Sequence, residues 1–239
     1  MLRRAMSDIM IPIAVTTDAP DTIDIGARDL VSRDADLARI IDRSGLPRFP
    51  RRPPTYGTLL KIILEQQVSL ASAAAVWAAL ARHCGEVTPA AVLTLDDAAL
   101  RACGFSRQKA QYARDIAAAV ESGGFAFDHL ATLDDEAAIA SLIGLRGVGR
   151  WTAEVYLLFA LGRPDILPAG DLAVQIALGE VKRLGYRPGD AETRAIGAAW
   201  RPWRGVAACL LWQHYLTTPR RRALANAEPT GPAQPLPAA

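Results

Sequence analysis

Residues 141–174 read SLIGLRGVGRWTAEVYLLFALGRPDILPAGDLAV, and the paired glycines Gly147 and Gly149 restrict the fold more than any other feature. They stand between two apolar runs at helical spacing. Ala137, Ile139, Ala140 and Ile143 precede them; Ala153, Val155, Tyr156, Leu157, Phe159 and Ala160 follow. A turn from Leu145 to Gly149 with two glycines between short helices specifies a helical hairpin, expected over 136–161. Glycine accepts positive φ and lets another backbone come close. With the second helix starting near Gly149, the unpaired N–H groups of Gly147, Gly149 and Arg150 form a positive helix end, and Arg146 and Arg150 add full charges. That is an anion site; the pattern alone leaves a plain inter-helix turn as the alternative. Two neighbours favour the anion site. Trp151 follows the turn directly, and Asp171 follows after one helix and a loop containing Pro164, Pro168 and Gly170.

The rest of the chain has the same helical grain. Apolar spacing predicts helices over 36–44, 56–67, 70–84 and 107–122, a short one opened by 94–97, and three more over 171–184, 191–199 and 205–216. Ser69 and Ser106 are placed as N-caps, and 132–135 caps the first hairpin helix. Residues 1–33 show no clear period and read as an extended or partly ordered lead-in. The tail 219–239, rich in proline and alanine, is expected to be disordered. No strand pattern appears, so the folded part, 34–218, is expected to be all-α. Gln66 and Gln67 stand at a helix–helix corner, either solvated or offered to a stack of nucleic-acid bases. Arg107, Lys109 and Arg114 fit a basic face or an ordinary solvated one.

Charge and cysteine usage narrow the function. A net charge of +2 over 239 residues gives no global field, so nucleic-acid contact would have to come from local patches. Cys84, Cys103 and Cys209 are isolated, which argues for a reducing, cytoplasmic setting and against a disulfide framework or a metal site. No run of about 18 apolar residues is present, so no membrane association is expected. Asp8 interrupts the only signal-like segment. His83, His129 and His214 lack ligand spacing, and no P-loop, GxGxxG, HExxH or CxxC occurs.

Asp171 opens a helix after a loop, where an aspartate commonly serves as N-cap. The same position favours an ionised carboxylate, which could stabilise an oxocarbenium-like sugar or help to activate a water. Among the five tryptophans, Trp151 and Trp212 lie near the candidate loops. Each is either core or a stacking surface for an extruded base.

Taken together, LRGVGRWTAEVYL, LPAGDLAVQIAL, ILEQQVSLASA, LRACGFSRQKAQYARDIA and RPWRGVAACLLW resemble the helix-hairpin-helix DNA glycosylases, specifically the AlkA type, over nearly all of 34–218. The resemblance implies a two-lobed all-α fold with the active site in the interlobe cleft. It also implies hydrolysis of the N-glycosidic bond of an alkylated base flipped from duplex DNA. It places Asp171 at the catalytic aspartate, with Val174 on the apolar position three residues on. Trp151 and Trp212 fall on the base pocket, and Gln67 on the side chain filling the gap left by the base. The carbonyls of Ile143, Leu145 and Val148 fall on a site for a sodium or potassium ion that bridges to phosphate. Three departures accompany it. Trp151 replaces the amine of lyase-active relatives, so no lyase step is expected. The cysteines of an iron–sulfur cluster are missing, as is an N-terminal β-domain. A pocket tyrosine is replaced by Val155, and an apolar wedge by Gln67. The expectation is a monomeric, monofunctional alkylbase glycosylase whose partner is damaged double-stranded DNA. A non-catalytic hairpin DNA-binding module and a glycosylase for another lesion are the alternatives.

Overall fold

The computed structural model describes residues 22–49 and 51–218, and no strand occurs among them. The chain opens with α1 (Thr22–Arg33) and α2 (Ala35–Ser44). It continues through α3 (Tyr56–Glu65), α4 (Leu70–Cys84), α5 (Pro89–Leu93), α6 (Asp97–Ala102) and α7 (Arg107–Glu121) to the hairpin pair α8 (Asp135–Ile143) and α9 (Arg150–Phe159). It closes with α10 (Leu172–Val181), α11 (Asp190–Gly197) and α12 (Arg204–Thr217). The start of every predicted helix from α2 onward lies within a few residues of its place in the sequence pattern.

Two separate cores divide these helices into lobes. The first core is built on α3, whose Leu59, Leu60, Ile62 and Ile63 are fully buried, with α7, α8 and α9 packed round it. The second unites the two ends of the described chain: α1 and α2 pack with α10 and α12. Leu30, Leu37, Leu178 and Leu210 are fully buried there. Trp212 borders both cores, so the seam between the lobes runs past its indole.

The lead-in expected over residues 1–33 needs correction, because 22–33 is helical and lies in the second core. Its apolar signal is weak because it buries small residues: Gly26 and Ala27 join Leu30. A Cβ on Gly26 would stand 2.7 Å from the Trp203 ring. Residues 1–21 and the tail 219–239 lie outside the described residues. The short α5 and the 3-10 turn Asp128–Thr132 were not foreseen, being too brief to show a period. Of the two readings of α7, a basic face or a solvated one, neither holds for all three cations. Arg114 turns inward to Asp97 and to the Leu95 carbonyl, and Lys109 to carbonyls of Leu64 and Gln66. Only Arg107 of the three stays exposed.

One close contact sets the loop that leads to Asp171. The Gly205 amide donates to the Pro164 carbonyl at 2.8 Å, and a Cβ there would sit 2.8 Å from the carbonyls of Pro164 and Ile166. The glycine lets α12 lie directly against the loop.

Candidate active site

Asp171 is the N-cap of α10: its Oδ1 accepts the Val174 amide at 2.9 Å. The same oxygen accepts the Trp212 indole N–H at 3.0 Å, and Oδ2 accepts the Trp151 indole N–H at 2.8 Å. The helix cap and both indole contacts therefore coexist on one side chain. A carboxylate offers about four acceptor positions, and these donors use three of them. One on Oδ2 remains. The residue is half-buried, and no ion pair to it forms among the described residues. Val174 is fully buried beneath it in the second core.

The indoles belong to opposite lobes. Trp151 sits in the first turn of α9 and Trp212 on α12, so the carboxylate ties the lobes together across the cleft. Val155, one turn along α9, is almost fully buried, and Phe159 follows after another turn. Phe159 stacks on Trp212 with ring centres 5.5 Å apart, and Phe49 leans on both at 5.8 and 6.2 Å. Arg52 lies over the outer face of Phe159 and reaches Glu65 at 3.4 Å. Neither Phe49 nor Phe159 carries a sequence signal for this site. Phe49 lies in a proline-broken loop with no period, so no local signal points to it; Phe159 was visible only as an apolar position on α9.

The hairpin forms as its glycines require. Gly147 has φ +86°, and a Cβ there would penetrate the Tyr112 ring at 2.4 Å. Gly149 is the N-cap of α9 without any side-chain hydrogen bond, so the first amides of the helix stay open to an anion. The two arginines differ. Arg146 is exposed and pairs with Asp115 at 3.0 Å, where a phosphate could replace the carboxylate. Arg150 is more committed: it grips Glu136 and donates to Glu154 at 3.0 Å.

Glu154 was not foreseen either. It is 2% exposed, and Arg194 of α11 reaches it at 3.1 Å. Burial pushes its carboxyl up, against the pull of Arg194 and Arg150. The ion pair joins α9 to α11, and Arg194 also pairs with Asp190 at 2.7 Å. Nothing local distinguishes this buried glutamate from a surface one.

Gln66 and Gln67 part company. Gln67 has φ +57° and is exposed, whereas Gln66 turns inward to the hairpin. For a hard monovalent cation, the candidate donors are the last carbonyls of α8 and the turn. Ile143 is 42% exposed, and the Leu145 carbonyl accepts the Val148 amide at 3.1 Å, which leaves it one lone pair. Backbone carbonyls at a helix C-terminus suit such an ion. Among the described residues no group of three His, Cys, Asp or Glu could hold a metal.

Fold and site define a class of protein: two helical lobes, a glycine hairpin with an open helix end, and a carboxylate held by two indoles in the cleft. Comparison with known proteins agrees. The model of the HhH-GPD superfamily base excision DNA repair proteins matches residues 60–202, and the chain belongs to that superfamily. It is 30% identical over 166 residues to a putative DNA-3-methyladenine glycosylase of Bacillus subtilis, a match covering 66% of this chain and 58% of the relative. The chain thus spans little more than half of that relative. Among solved structures, a DNA-3-methyladenine glycosidase from Bacillus halodurans is similar at 31% identity and TM-score 0.71, covering 84% of this chain and 92% of the other. A 3-methyladenine DNA glycosylase of Schizosaccharomyces pombe in complex with abasic DNA is similar at 29% identity and TM-score 0.74, covering 79% and 95%.

Proposed function

We propose that the protein is a monofunctional DNA glycosylase of base excision repair that hydrolyses the N-glycosidic bond of alkylated purines, of the 3-methyladenine and 7-methylguanine type, after flipping them from duplex DNA. One observation carries this reading: where the two lobes meet, the Asp171 carboxylate is oriented by three donors, and no cation pairs with it among the described residues. Alkylation leaves the base cationic and weakens its bond to the sugar, so no general acid is needed to expel it. The free acceptor position on Oδ2 is available to a water or to the developing positive charge at the sugar. As the C1′–N bond breaks, the pair leaves with the base and neutralises it; the water oxygen then bonds C1′ and passes its proton to the free position on Asp171 Oδ2, which returns it to solvent.

The aromatic cluster supports the choice of a cationic base. Phe159 is already flanked by Trp212 and Arg52, so Phe49 and the indoles are the rings a cationic base would meet, and cation–π attraction contributes on the order of 0.5–2 kcal/mol. Damaged pairs open at least cost, which adds selectivity from the lesion itself. The open end of α9 and Arg146 would hold a phosphate, with a grip that is independent of sequence and weakened by salt. A monovalent cation on the carbonyls of Ile143, Leu145 and Val148 would add positive charge beside that phosphate.

A hydrolase without lyase activity fits the amines. The chain's three lysines all serve elsewhere: Lys61 lies over Trp77, Lys109 on carbonyls of α3, and Lys182 on Asp34 and Asp36. The cysteines do not fit an iron–sulfur cluster: Cys103 is buried in the turn after α6 and Cys209 is buried within α12 in the other lobe. The protein is proposed to act as a cytoplasmic monomer; no helix among the described residues is long and apolar enough to cross a membrane. The test is base release from duplexes carrying methylated, deaminated or oxidised bases, resolved by chromatography. Release of methylated purines without strand cleavage is expected. Binding with no release from any duplex would leave only a DNA-binding module, and release confined to another lesion would reassign the pocket.

A further inference from the structure

The corner between α3 and α4 is tied to two other elements by four hydrogen bonds. Gln66 Nε2 donates to the Gly147 carbonyl at 3.2 Å and to Thr152 Oγ1 at 2.8 Å, so one amide spans the hairpin turn and the first turn of α9. Thr152 is 2% exposed. From α7, Lys109 Nζ donates to the carbonyls of Leu64 and Gln66, both at 2.8 Å. These lie at the C-terminal end of α3, where a cation is favoured. No carboxylate pairs with Lys109 among the described residues, and burial holds its ammonium below the usual lysine range. Tyr112, one turn further along α7, packs against Gly147 so tightly that no side chain fits there. The left-handed, exposed Gln67 stands at the tip of this corner.

We infer that Gln66 and Lys109 are positioning residues that lock the Gln67 corner to the hairpin turn, so that gripping the phosphate and filling the gap left by the base are one rigid action. The inference rests on the glycosylase reading above. Without the lock, Gln67 would have to recover a left-handed conformation that a non-glycine residue rarely adopts, just when the base pair opens. Fixed in advance, it loses little freedom on insertion. Distance from the hairpin to the tip is then set by protein hydrogen bonds and not by the DNA.

The experiment compares Gln66→Ala, Lys109→Met and Gln67→Ala with the wild-type chain, using 7-methylguanine in a paired duplex and in an unpaired bulge. Flipping is followed by 2-aminopurine fluorescence beside the lesion, and folding by thermal melting. On the duplex, single-turnover release by each variant should fall about 10- to 100-fold. On the bulge, where opening is already done, release by Gln66→Ala and Lys109→Met should match wild type. The losses from Gln66→Ala and Gln67→Ala should not add in the double variant, and Lys109→Arg should restore part of the rate. Equal losses on duplex and bulge, or undiminished duplex release, would overturn the lock. Should the wild-type chain release no base at all, the glycosylase reading falls. The 2-aminopurine signal then decides alone: wild-type opening undiminished in the variants overturns the inference, and reduced opening upholds it.

Discussion

Asp34 and Asp171 begin from the same local chemistry. Each caps a helix of the second lobe by accepting backbone amides, and each accepts an indole N–H at 2.8 Å, from Trp200 and Trp151 respectively. Their surroundings then diverge. Lys182 places its ammonium on both oxygens of Asp34, at 3.0 and 2.8 Å, and closes the cluster. Asp171 receives a second indole where Asp34 receives a cation. A carboxylate with a resident counter-ion is satisfied and holds structure. One addressed only by neutral donors keeps its charge available to a positive transition state. Among the described residues the difference between the two aspartates is the counter-ion, not the cap.

Substituting the two aspartates gives the largest contrast. Asp171→Asn keeps an N-cap, so melting should move little, while single-turnover base release should fall about 10²- to 10⁴-fold. Asp34→Asn should leave the rate per folded molecule unchanged. An active Asp171→Asn variant would break the distinction.

Next in size is the ion pair framing the Asp171 loop. Arg194→Ala leaves the buried Glu154 with Arg150 alone and should cost about 2–3 kcal/mol by denaturant unfolding. Glu154→Gln should cost less, because burial already pushes that carboxyl up.

The Asp34 cluster comes third. Burial alone would raise its carboxyl, but hydrogen bonds from Lys182 and Trp200 outweigh this and hold it below the usual carboxylate range. A depressed acid stabilises the fold above its unfolded value and stops doing so as pH falls through the folded one. Asp34→Asn should therefore cost about 1–3 kcal/mol at neutral pH, with the difference from wild type starting to shrink below about pH 4, the unfolded carboxylate's value, and disappearing only below the lower folded value. Melting curves from pH 7 to pH 3 check both the size and the sign.

The smallest effect belongs to one indole donor. Trp151→Phe keeps a ring and removes one hydrogen bond to Asp171, worth about 1 kcal/mol. Its base-release rate should drop more than its stability, since Oδ2 is then free to turn. A larger fall in melting than in rate would make that bond structural, like the one at Asp34.

Much of the site could be read along the chain because its parts are local. The hairpin glycines, the Asp171 cap and the Ser69 and Ser106 caps are each set by neighbours three or four residues away. What escaped notice was distant or small. Helix α1 buries a glycine and an alanine, so it shows no stripe. Phe49 reaches Trp212 from an irregular loop, and Glu154 looks like any charged helix residue until Arg194 meets it 40 residues later. The α7 arginine and lysine looked like a surface charge run because a sequence does not say which neighbours need a donor.

The sequence alone determined where helices start, where the chain must turn, and which carboxylate follows the hairpin. Helix periodicity and capping act over a single turn, so they are written in adjacent residues. Only the tertiary structure decided that Lys182 goes to Asp34 across 148 positions while Asp171 meets two indoles, and that Gln66 points in while Gln67 points out. Such pairings follow from how the two lobes pack against each other, and packing joins residues whose separation along the chain carries no information about their distance in space.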